Sequence, residues 1–293
     1  MNAERYAEFL ARCGTRVRHA AGAAWTETSR GVWMSFPYQL ELDPAAVAKD
    51  PPLRAGDIAA RWPCALAEGR ASYRLVCRGA DYGFARLESK SRNQTRRGLE
   101  RCTVAREDPA ALLADAEELE RDTRERQGRR DGDPGMWKRL LAAAAATEGA
   151  EAWAARIDGR VGAFLLAFRM DGWLHVTHVR SRRAMLGMYP NNALLYEVNR
   201  RSLAEGGCQA VSIGFESIQA EVDGLDHFKI ALGYVREPVG CRILLAPLGR
   251  ALALAIRAPG GRALVARAAG AEGASKLEGM VRWVREQDAV SGR

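Results

Sequence analysis

Two Asp-Gly pairs, each between apolar segments, constrain the fold of this chain more than any other feature. Asp158-Gly159 separates the segments 152–157 and 161–170, and Asp171-Gly172 separates the second of these from 173–179. Asp-Gly favours a two-residue hairpin turn because both turn residues need positive φ angles. Two such turns in succession predict an antiparallel meander of three strands.

The apolar spacing changes from strand-like to helical after the meander. The residues that recur at helical spacing are Leu194, Leu195, Val198 and Leu203. Asn191 or Asn192 is a suitable N-cap, and Gly206-Gly207 is a suitable C-terminal stop. The apolar segment 209–213 is the next strand. Because a strand, a helix and a strand in succession form a crossover, this strand is predicted to pair in parallel with the last strand of the meander.

The remaining predicted elements complete a chain of the α/β class. They are helices at 3–13, 81–99, 109–126, 137–146 and 225–232 and strands at 32–38, 72–77, 103–105 and 239–245, with a break at 128–135. We therefore predict a mixed sheet that combines the antiparallel meander with the parallel crossover. Ligands of such sheets bind where neighbouring strands splay, close to a helix N-terminus that favours anions.

Composition excludes several classes of protein. Hydrophobic residues make up 47% of the chain, which is enough to form a core and excludes disorder as the main state. We find neither an apolar run of about 18 residues nor a secretory signal, so we expect a cytoplasmic protein. None of the six cysteines is in C-x-x-C spacing, so we expect no metal site and no disulfide scaffold.

The net charge of +8 predicts an anionic partner, and much of it lies in the C-terminal tail. Residues 242–293 hold nine Lys and Arg against four Asp and Glu. In the tail, arginines alternate with apolar residues, and Pro259 is predicted to separate two short helices. Two interpretations stay open: the helices pack against the rest of the chain, which we favour, or they contact an anionic membrane peripherally at its inner face.

Four segments resemble the FemAB-like branch of the GNAT N-acyltransferases, which includes the BioF2-like acetyltransferase domains. They are the helix start at 189–197, the strand end Val211-Ser212-Ile213-Gly214, the segment Gly224-Leu225-Asp226-His227-Phe228-Lys229 and the closing Leu232-Gly233-Tyr234. The basic stretch 87–97 is similar to a helix that precedes the second half in that family. The resemblance covers roughly residues 80–245. It implies a truncated N-terminal GNAT-like half at 1–105, a GNAT-like acyltransferase domain at 106–247 and a basic helical tail at 248–293.

The resemblance implies an N-acyltransferase that uses acetyl-CoA or another acyl-CoA, with a small-molecule or cell-envelope precursor amine as acceptor. GNAT enzymes that use acetyl-CoA typically hold its pyrophosphate with an R/Q-x-x-G-x-G/A loop, whereas the segment 182–188 has one glycine. Two alternatives therefore stay open. One is a Fem-type transferase that takes its acyl group from aminoacyl-tRNA, and the other is a degenerate fold that only binds a ligand or partner.

Four residues are candidates for catalysis. The resemblance implicates Lys229, which would stabilise an oxyanion or a leaving phosphate. Glu216 follows a strand end, where a carboxylate can serve as a general base. His175 and Thr177 are predicted to share one face of their strand, and His178, three residues from His175, is predicted to point to the other face. The alternative for each residue is a structural or surface role.

The candidates for cofactor and substrate binding surround the crossover helix and the basic helix. Guanidinium groups suit phosphate, and Asn191 and Asn192 stand at a helix start, so the cofactor set is Arg180, Arg182, Arg183, Asn191 and Asn192. The substrate set is Tyr189, His227, Arg92 and Arg96. The basic helix, 86–101, has six Lys and Arg and two Glu, which could bind an anionic substrate or a tRNA backbone. The alternative is a solvated face.

Overall fold

The computed structural model describes residues 1–126, 133, 135–205, 207–219 and 223–291. Two sequence-based predictions fall partly outside these residues: the break at 128–135 and the helix stop at Gly206. Gly207, the second residue of that stop, has a φ of +60°.

Helices and strands alternate along most of the chain. The helices are α1 (Ala3–Arg12), α2 (Pro44–Lys49), α3 (Ser89–Arg101), α4 (Leu113–Arg126), α5 (Met136–Ala145), α6 (Pro190–Glu205), α7 (Asp223–Ala231), α8 (Pro247–Arg257) and α9 (Gly261–Ser291). The strands are β1 (Val17–Ala20), β2 (Ala23–Ser29), β3 (Val32–Phe36), β4 (Ala59–Cys64), β5 (Arg70–Cys77), β6 (Thr103–Glu107), β7 (Ala150–Ile157), β8 (Arg160–Met170), β9 (Trp173–Ser181), β10 (Ala210–Phe215) and β11 (Val235–Leu245). Short 3₁₀ turns occur at Leu66–Glu68, Phe84–Arg86, Pro109–Leu112 and Arg183–Met188.

The chain forms two compact units, each built from separate stretches of sequence. The first unit contains residues 1–14, 75–214 and 226–236, and the second contains 15–74, 215–225 and 237–293. These units are defined by packing rather than by sequence order, and the division at residues 105 and 247 stays a prediction.

In the first unit the strands run in the order β10-β9-β8-β7-β6. The pairs from β9 to β6 are antiparallel, and β10 pairs with β9 in parallel. At both Asp-Gly turns the two residues have positive φ angles, for example +49° at Asp158 and +79° at Gly159. The predicted meander, the crossover and the α/β class with a mixed sheet are confirmed.

Helices cover both faces of the first unit's sheet. On one face, α6 places Leu194, Leu195 and Val198 against small and apolar residues of β8 and β9. On the other face, the ring of Phe168 packs against Phe9 of α1, with the centroids 4.6 Å apart, and Trp137 of α5 packs edge-on against Phe164. The two faces are therefore both desolvated, which explains the almost continuous apolar run in β8.

The second unit contains three strands and a helix that were not predicted from the sequence. They are β1, β2, β4 and α2. In this unit β1, β2 and β3 pair antiparallel in succession, β4 pairs in parallel with β3, and β11 pairs antiparallel with β4. Pro63 lies inside β4, opposite Cys241, and a proline argues against a strand when only local sequence is considered.

The helical C-terminal part is confirmed, and one of its faces packs on the second unit. Gly249, Ala253 and Ile256 of α8 are buried, and Ala253 and Ile256 belong to a core cluster with Ala59 and Ile243. The predicted separation of two short helices at Pro259 is confirmed, because α8 ends at Arg257 and the helical segment that begins at Gly261 is interrupted at Gly270, where φ is +77°. A further helical segment, which the sequence did not predict, follows this break and ends at Ser291.

Candidate functional site

The strands β9 and β10 diverge within the first unit. Their parallel pairing runs from Trp173 with Ala210 to His175 with Ser212. Beyond these pairs β9 continues for six residues to Ser181, and β10 continues for three residues to Phe215. A ladder that stops inside two longer strands leaves an opening between their C-terminal ends. This is the position where α/β sheets bind ligands.

A β-bulge lies in β9 immediately after the last pair with β10. On the β8 side, Val176 pairs with Ala167 and His178 pairs with Leu166, so Thr177 is an extra residue in β9. A bulge bends its strand and changes the direction of its side chains. The bulge therefore bends β9 at the point where its pairing with β10 ends.

The bulge also places His175 and His178 on the same face of the sheet. His175 pairs with Phe168 and His178 with Leu166, and residues two apart in β8 share a face. The prediction that the two histidines point to opposite faces is wrong, because the extra residue at Thr177 shifts the alternation of side chains by one position.

Burial keeps both histidine rings neutral. His175 is fully buried, with its ring nearly parallel to that of Trp173, and desolvation lowers its pKa to about 4. Burial is also the main reason why the pKa of His178 is lowered to about 4. Nδ1 of His178 lies 3.0 Å from Oγ1 of Thr177, whose hydroxyl donates to the carbonyl oxygen of Leu166. At pH 7 these side chains form a neutral polar group at the bulge.

Lys229 lies on α7 and is partly buried. Its Nζ is 3.7 Å from Oδ1 of Asp226, and burial lowers its pKa from the usual range, opposed by the Asp226 charge. Phe228 and Leu232 pack against the core of the first unit, as the helical spacing predicts. Leu225 does not share that buried face, since it is 53% exposed. It lies near the start of α7, on the turn before Phe228.

Glu216 belongs to the second unit, where an arginine holds its carboxylate. Arg70 donates to both carboxylate oxygens, at 2.7 and 3.2 Å, and the hydroxyl of Ser72 donates to one of them. Arg70 also pairs with Glu286, and its guanidinium lies over the ring of Trp283. The contacts of the predicted catalytic residues thus define three neighbourhoods: β9, the Lys229–Asp226 pair and the Glu216–Arg70 pair. Their joint action stays a prediction.

Acidic residues of α4 neutralise the arginines at the end of β9. Arg180 pairs with Glu120, and Arg182, which is buried, pairs with Glu118 and with Asp115. The hydrogen bond from Arg182 is the main cause of the lowered pKa of Glu118. The guanidinium groups predicted to hold phosphate therefore already have carboxylate partners. Arg183 is exposed, and its backbone N–H donates to Asp122.

The sequence contained a signal for this acidic partner. Asp115, Glu118 and Asp122 are spaced i, i+3 and i+7 and so lie on one face of a helix. A row of acidic side chains on one helix face is, from the sequence alone, equally typical of a solvent-exposed face. The contacts of Glu118 and Asp122 show that this face of α4 contacts residues 182 and 183 instead.

The start of α6 packs against α3. The helix begins at Pro190, so Asn191 and Asn192 lie in its first turn and the N-cap prediction is wrong; proline is favoured at the first helical position. Asn191 donates to Oγ of Ser181 at 3.1 Å, and Nδ2 of Asn192 lies 3.5 Å from Oγ of Ser91. Both asparagines thus connect the helix start to its neighbours, and their role in cofactor binding stays a prediction.

The predicted substrate-binding residues differ in exposure. Arg92 is half-buried and donates to the carbonyl oxygen of Leu87, whereas Arg96 is exposed with its guanidinium 5.2 Å from the ring centre of Phe84. His227 is exposed on α7. Tyr189 has a φ of +59°, and its ring centre lies 5.8 Å from the Arg97 guanidinium. The basic helix keeps its predicted cationic surface at Lys90, Arg96, Arg97 and Arg101.

Two kinds of feature are missing from the part of the chain that the structure describes. No group of three or more His, Cys, Asp or Glu side chains there could hold a metal ion. None of the helices in these residues is long and apolar enough to cross a membrane.

A protein-family model matches the region that contains the diverging strands. The model of the acetyltransferase (GNAT) domain matches residues 84–229, from the turn before α3 into α7. The chain thus contains a region that matches the acetyltransferase (GNAT) domain and has a GNAT-type fold. This confirms the family resemblance, and with it the GNAT-type acyltransferase fold.

Solved structures show the same fold over most of the chain. The crystal structure of FemX is 14% identical and covers 85% of this chain and 92% of its own, with a TM-score of 0.58. The C-terminal domain (DUF2156) of a proposed lysylphosphatidylglycerol synthetase from Agrobacterium fabrum is 15% identical, covers 86% and 93%, and has a TM-score of 0.57. A conserved protein of unknown function from Bacteroides thetaiotaomicron is 13% identical, covers 83% and 91%, and has a TM-score of 0.50. A search of the curated proteins found no match to this sequence.

Proposed function

We propose that this chain is an N-acyltransferase that transfers an acyl group, acetyl in the simplest case, from an acyl-CoA to the amine of a small molecule or a cell-envelope precursor. The observation that carries the proposal is the divergence of β9 and β10 after the His175–Ser212 pair, with the bulge at Thr177. Peptide N–H groups of β9 beyond the paired region can donate to a thioester carbonyl oxygen in this opening. Such donors stabilise the oxyanion that develops during acyl transfer.

The reaction sets simple chemical requirements. The neutral amine attacks the carbonyl carbon, the C–S bond breaks, the amine nitrogen loses a proton and the thiolate gains one. Thr177 and His178 are the polar side chains at the bulge. Because burial holds the pKa of His178 near 4, its ring is a weak base at pH 7. We therefore assign Thr177 and His178 to hydrogen bonding with the reacting groups, and proton transfer to water.

Lys229 and Glu216 have further roles in this proposal. The ammonium of Lys229 stabilises negative charge on the leaving group, and Asp226 at 3.7 Å orients it. Glu216 can act as a general base only when its ion pair with Arg70 breaks, because both carboxylate oxygens accept hydrogen bonds from that guanidinium. Of the two, Lys229 needs the smaller rearrangement to act.

A second candidate donor is aminoacyl-tRNA, and a specific observation favours it. Arg180 and Arg182 are neutralised by acidic residues of α4, so two of the cations that would hold a CoA pyrophosphate already have protein partners. Meanwhile the exposed cations of α3 offer contacts to a nucleic-acid backbone. An aminoacyl-tRNA bound mainly by α3 would not need the segment 182–188 to bind a pyrophosphate.

A donor comparison tests both candidates. Purified protein is incubated with a panel of amines and either radiolabelled acetyl-CoA or radiolabelled aminoacyl-tRNA, and labelled amide is measured with and without ribonuclease. Amide from acetyl-CoA that is insensitive to ribonuclease supports the first candidate. Ribonuclease-sensitive amide from aminoacyl-tRNA supports the second. Binding of either donor without amide formation across the panel contradicts both and identifies the degenerate, non-catalytic alternative.

A further inference from the structure

The C-terminal part of the second unit has an exposed apolar surface opposite its buried face. While Gly249, Ala253 and Ile256 of α8 are buried, Leu248 is 43% exposed and Leu254 is 68% exposed. Leu264, near the start of α9, is 66% exposed. Single exposed leucines are common, but three of the seven exposed large apolar side chains in the described residues lie within this short stretch.

The charged residues of the stretch that carries these leucines are all positive. We define the leucine–arginine surface by the exposed residues Leu248, Arg250, Leu254, Arg257, Arg262, Leu264 and Arg267. Residues 247–271 contain four arginines and no Asp or Glu. One carboxylate from farther along the chain, Glu278, lies 2.9 Å from Arg262. The surface therefore combines large apolar side chains with cations on flexible stems.

A tight turn holds the two helices of this surface together. Residues 258–260 link α8 to α9, and the N–H of Gly261 donates to the carbonyl oxygen of Ala258. A Cβ at Gly261 would lie 1.8 Å from the carbonyl oxygen of Ala255, so the start of α9 lies directly on the end of α8. The exposed leucines are thus presented on a packed helical pair rather than on a loose tail.

We propose that the leucine–arginine surface docks on an anionic lipid membrane. The leucines enter the boundary between headgroups and acyl chains, and the arginines lay their stems along that boundary and reach the lipid phosphates. A nucleic acid would satisfy the arginines but offers no apolar layer for Leu254 and Leu264. This docking is independent of the acyl donor and of the residues at the β9 bulge.

Vesicle binding tests the proposal with the full chain. The protein is sedimented with vesicles of pure phosphatidylcholine and with vesicles of phosphatidylcholine and phosphatidylglycerol in equal parts. We expect binding to the anionic vesicles, weakened by added salt. Leu254→Ser with Leu264→Ser lowers the partition coefficient at least about tenfold per leucine. Arg250→Gln with Arg257→Gln lowers it about fivefold per arginine.

Matched variants outside the surface show whether the loss of vesicle binding is specific to the leucine–arginine surface or follows from removing any exposed leucine or arginine. Leu66→Ser replaces a leucine that is 49% exposed, and Arg30→Gln replaces an exposed arginine; both are expected to bind as the parent does. All the replaced side chains are exposed, and circular dichroism checks that each variant is folded. Three results would overturn the proposal: no binding to anionic vesicles, unchanged binding in the leucine variant, or a concentration-dependent dimer that the leucine variant abolishes.

Discussion

Gly98 of α3 lies directly against the backbone of Tyr189. A Cβ at Gly98 would be 2.7 Å from the carbonyl oxygen of Tyr189 and 3.2 Å from Cβ of Ala193. Only a glycine allows this close approach between α3 and the first turn of α6. The contact explains why a glycine stands in the middle of a helix, where it is unfavourable by itself.

This relationship predicts the effect of Gly98→Ala. Alanine gains about 1 kcal/mol of helix propensity over glycine, but a clash with backbone in a packed interface costs about 1–3 kcal/mol. We therefore expect a lower free energy of unfolding, measured by urea denaturation. Gly187→Ala is the control, because a Cβ at Gly187 has nothing within 4 Å. A Gly98→Ala variant more stable than the parent would contradict the close packing.

The elements that could be predicted from the sequence are those that local chemistry determines. The meander follows from two Asp-Gly turns, and the crossover helix follows from its apolar spacing between two strands. In contrast, β4 contains Pro63 and pairs with β11, which lies far away in the sequence. Its formation depends on that distant partner rather than on local preference.

The candidate site shows the same limit. The sequence indicated that polar candidate residues lie in and after β9, and one of them, Thr177, lies at the bulge. The bulge itself leaves no mark in the sequence, so strict alternation assigned the two histidines to the wrong faces. The spacing of acidic residues in α4 indicates an acidic helix face, but the packing of α4 on β9, which neutralises Arg180 and Arg182, depends on tertiary contacts that the spacing does not reveal.

The hydroxyl of Thr177 is predicted to matter for turnover. Thr177→Val keeps the shape of the side chain but removes the group that donates to Leu166 and lies 3.0 Å from His178. If this hydroxyl hydrogen-bonds in the transition state, turnover on the substrate found in the donor comparison falls at least about tenfold, which corresponds to about 1.4 kcal/mol. Thr28→Val is the control, since Thr28 is an exposed residue of the second unit. Unchanged turnover would assign Thr177 a purely structural role.

Lys229 provides a second test of the site. Lys229→Ala is expected to lower turnover at least about tenfold while the protein stays folded, because the ammonium that stabilises the leaving group is lost. Lys229→Arg should restore little of the lost turnover, since a planar guanidinium does not replace a compact ammonium. Lys138→Ala, at an exposed lysine of α5, is the control. An alanine variant with full turnover would make Lys229 a structural partner of Asp226.

Buried His175 predicts how stability depends on pH. Burial lowers its folded-state pKa from 6.5 to about 4, so below pH 6.5 the unfolded chain binds a proton that the folded chain does not. The free energy of unfolding is therefore unaffected by His175 above about pH 6.5, and it decreases as the pH falls from 6.5 towards 4. Each pKa unit corresponds to 1.36 kcal/mol, which gives a loss of about 2 kcal/mol at pH 5 from this residue.

The variant His175→Phe isolates this contribution. Phenylalanine keeps an aromatic ring beside Trp173 but cannot bind a proton, so urea denaturation at pH 7 and pH 5 should show a smaller loss of stability than in the parent. His19→Phe, at an exposed histidine of β1, should leave the loss unchanged. Equal losses in His175→Phe and in the parent would mean that His175 takes up its proton in the folded state as easily as in the unfolded chain. The buried environment between Trp173 and the bulge would then have to open at low pH.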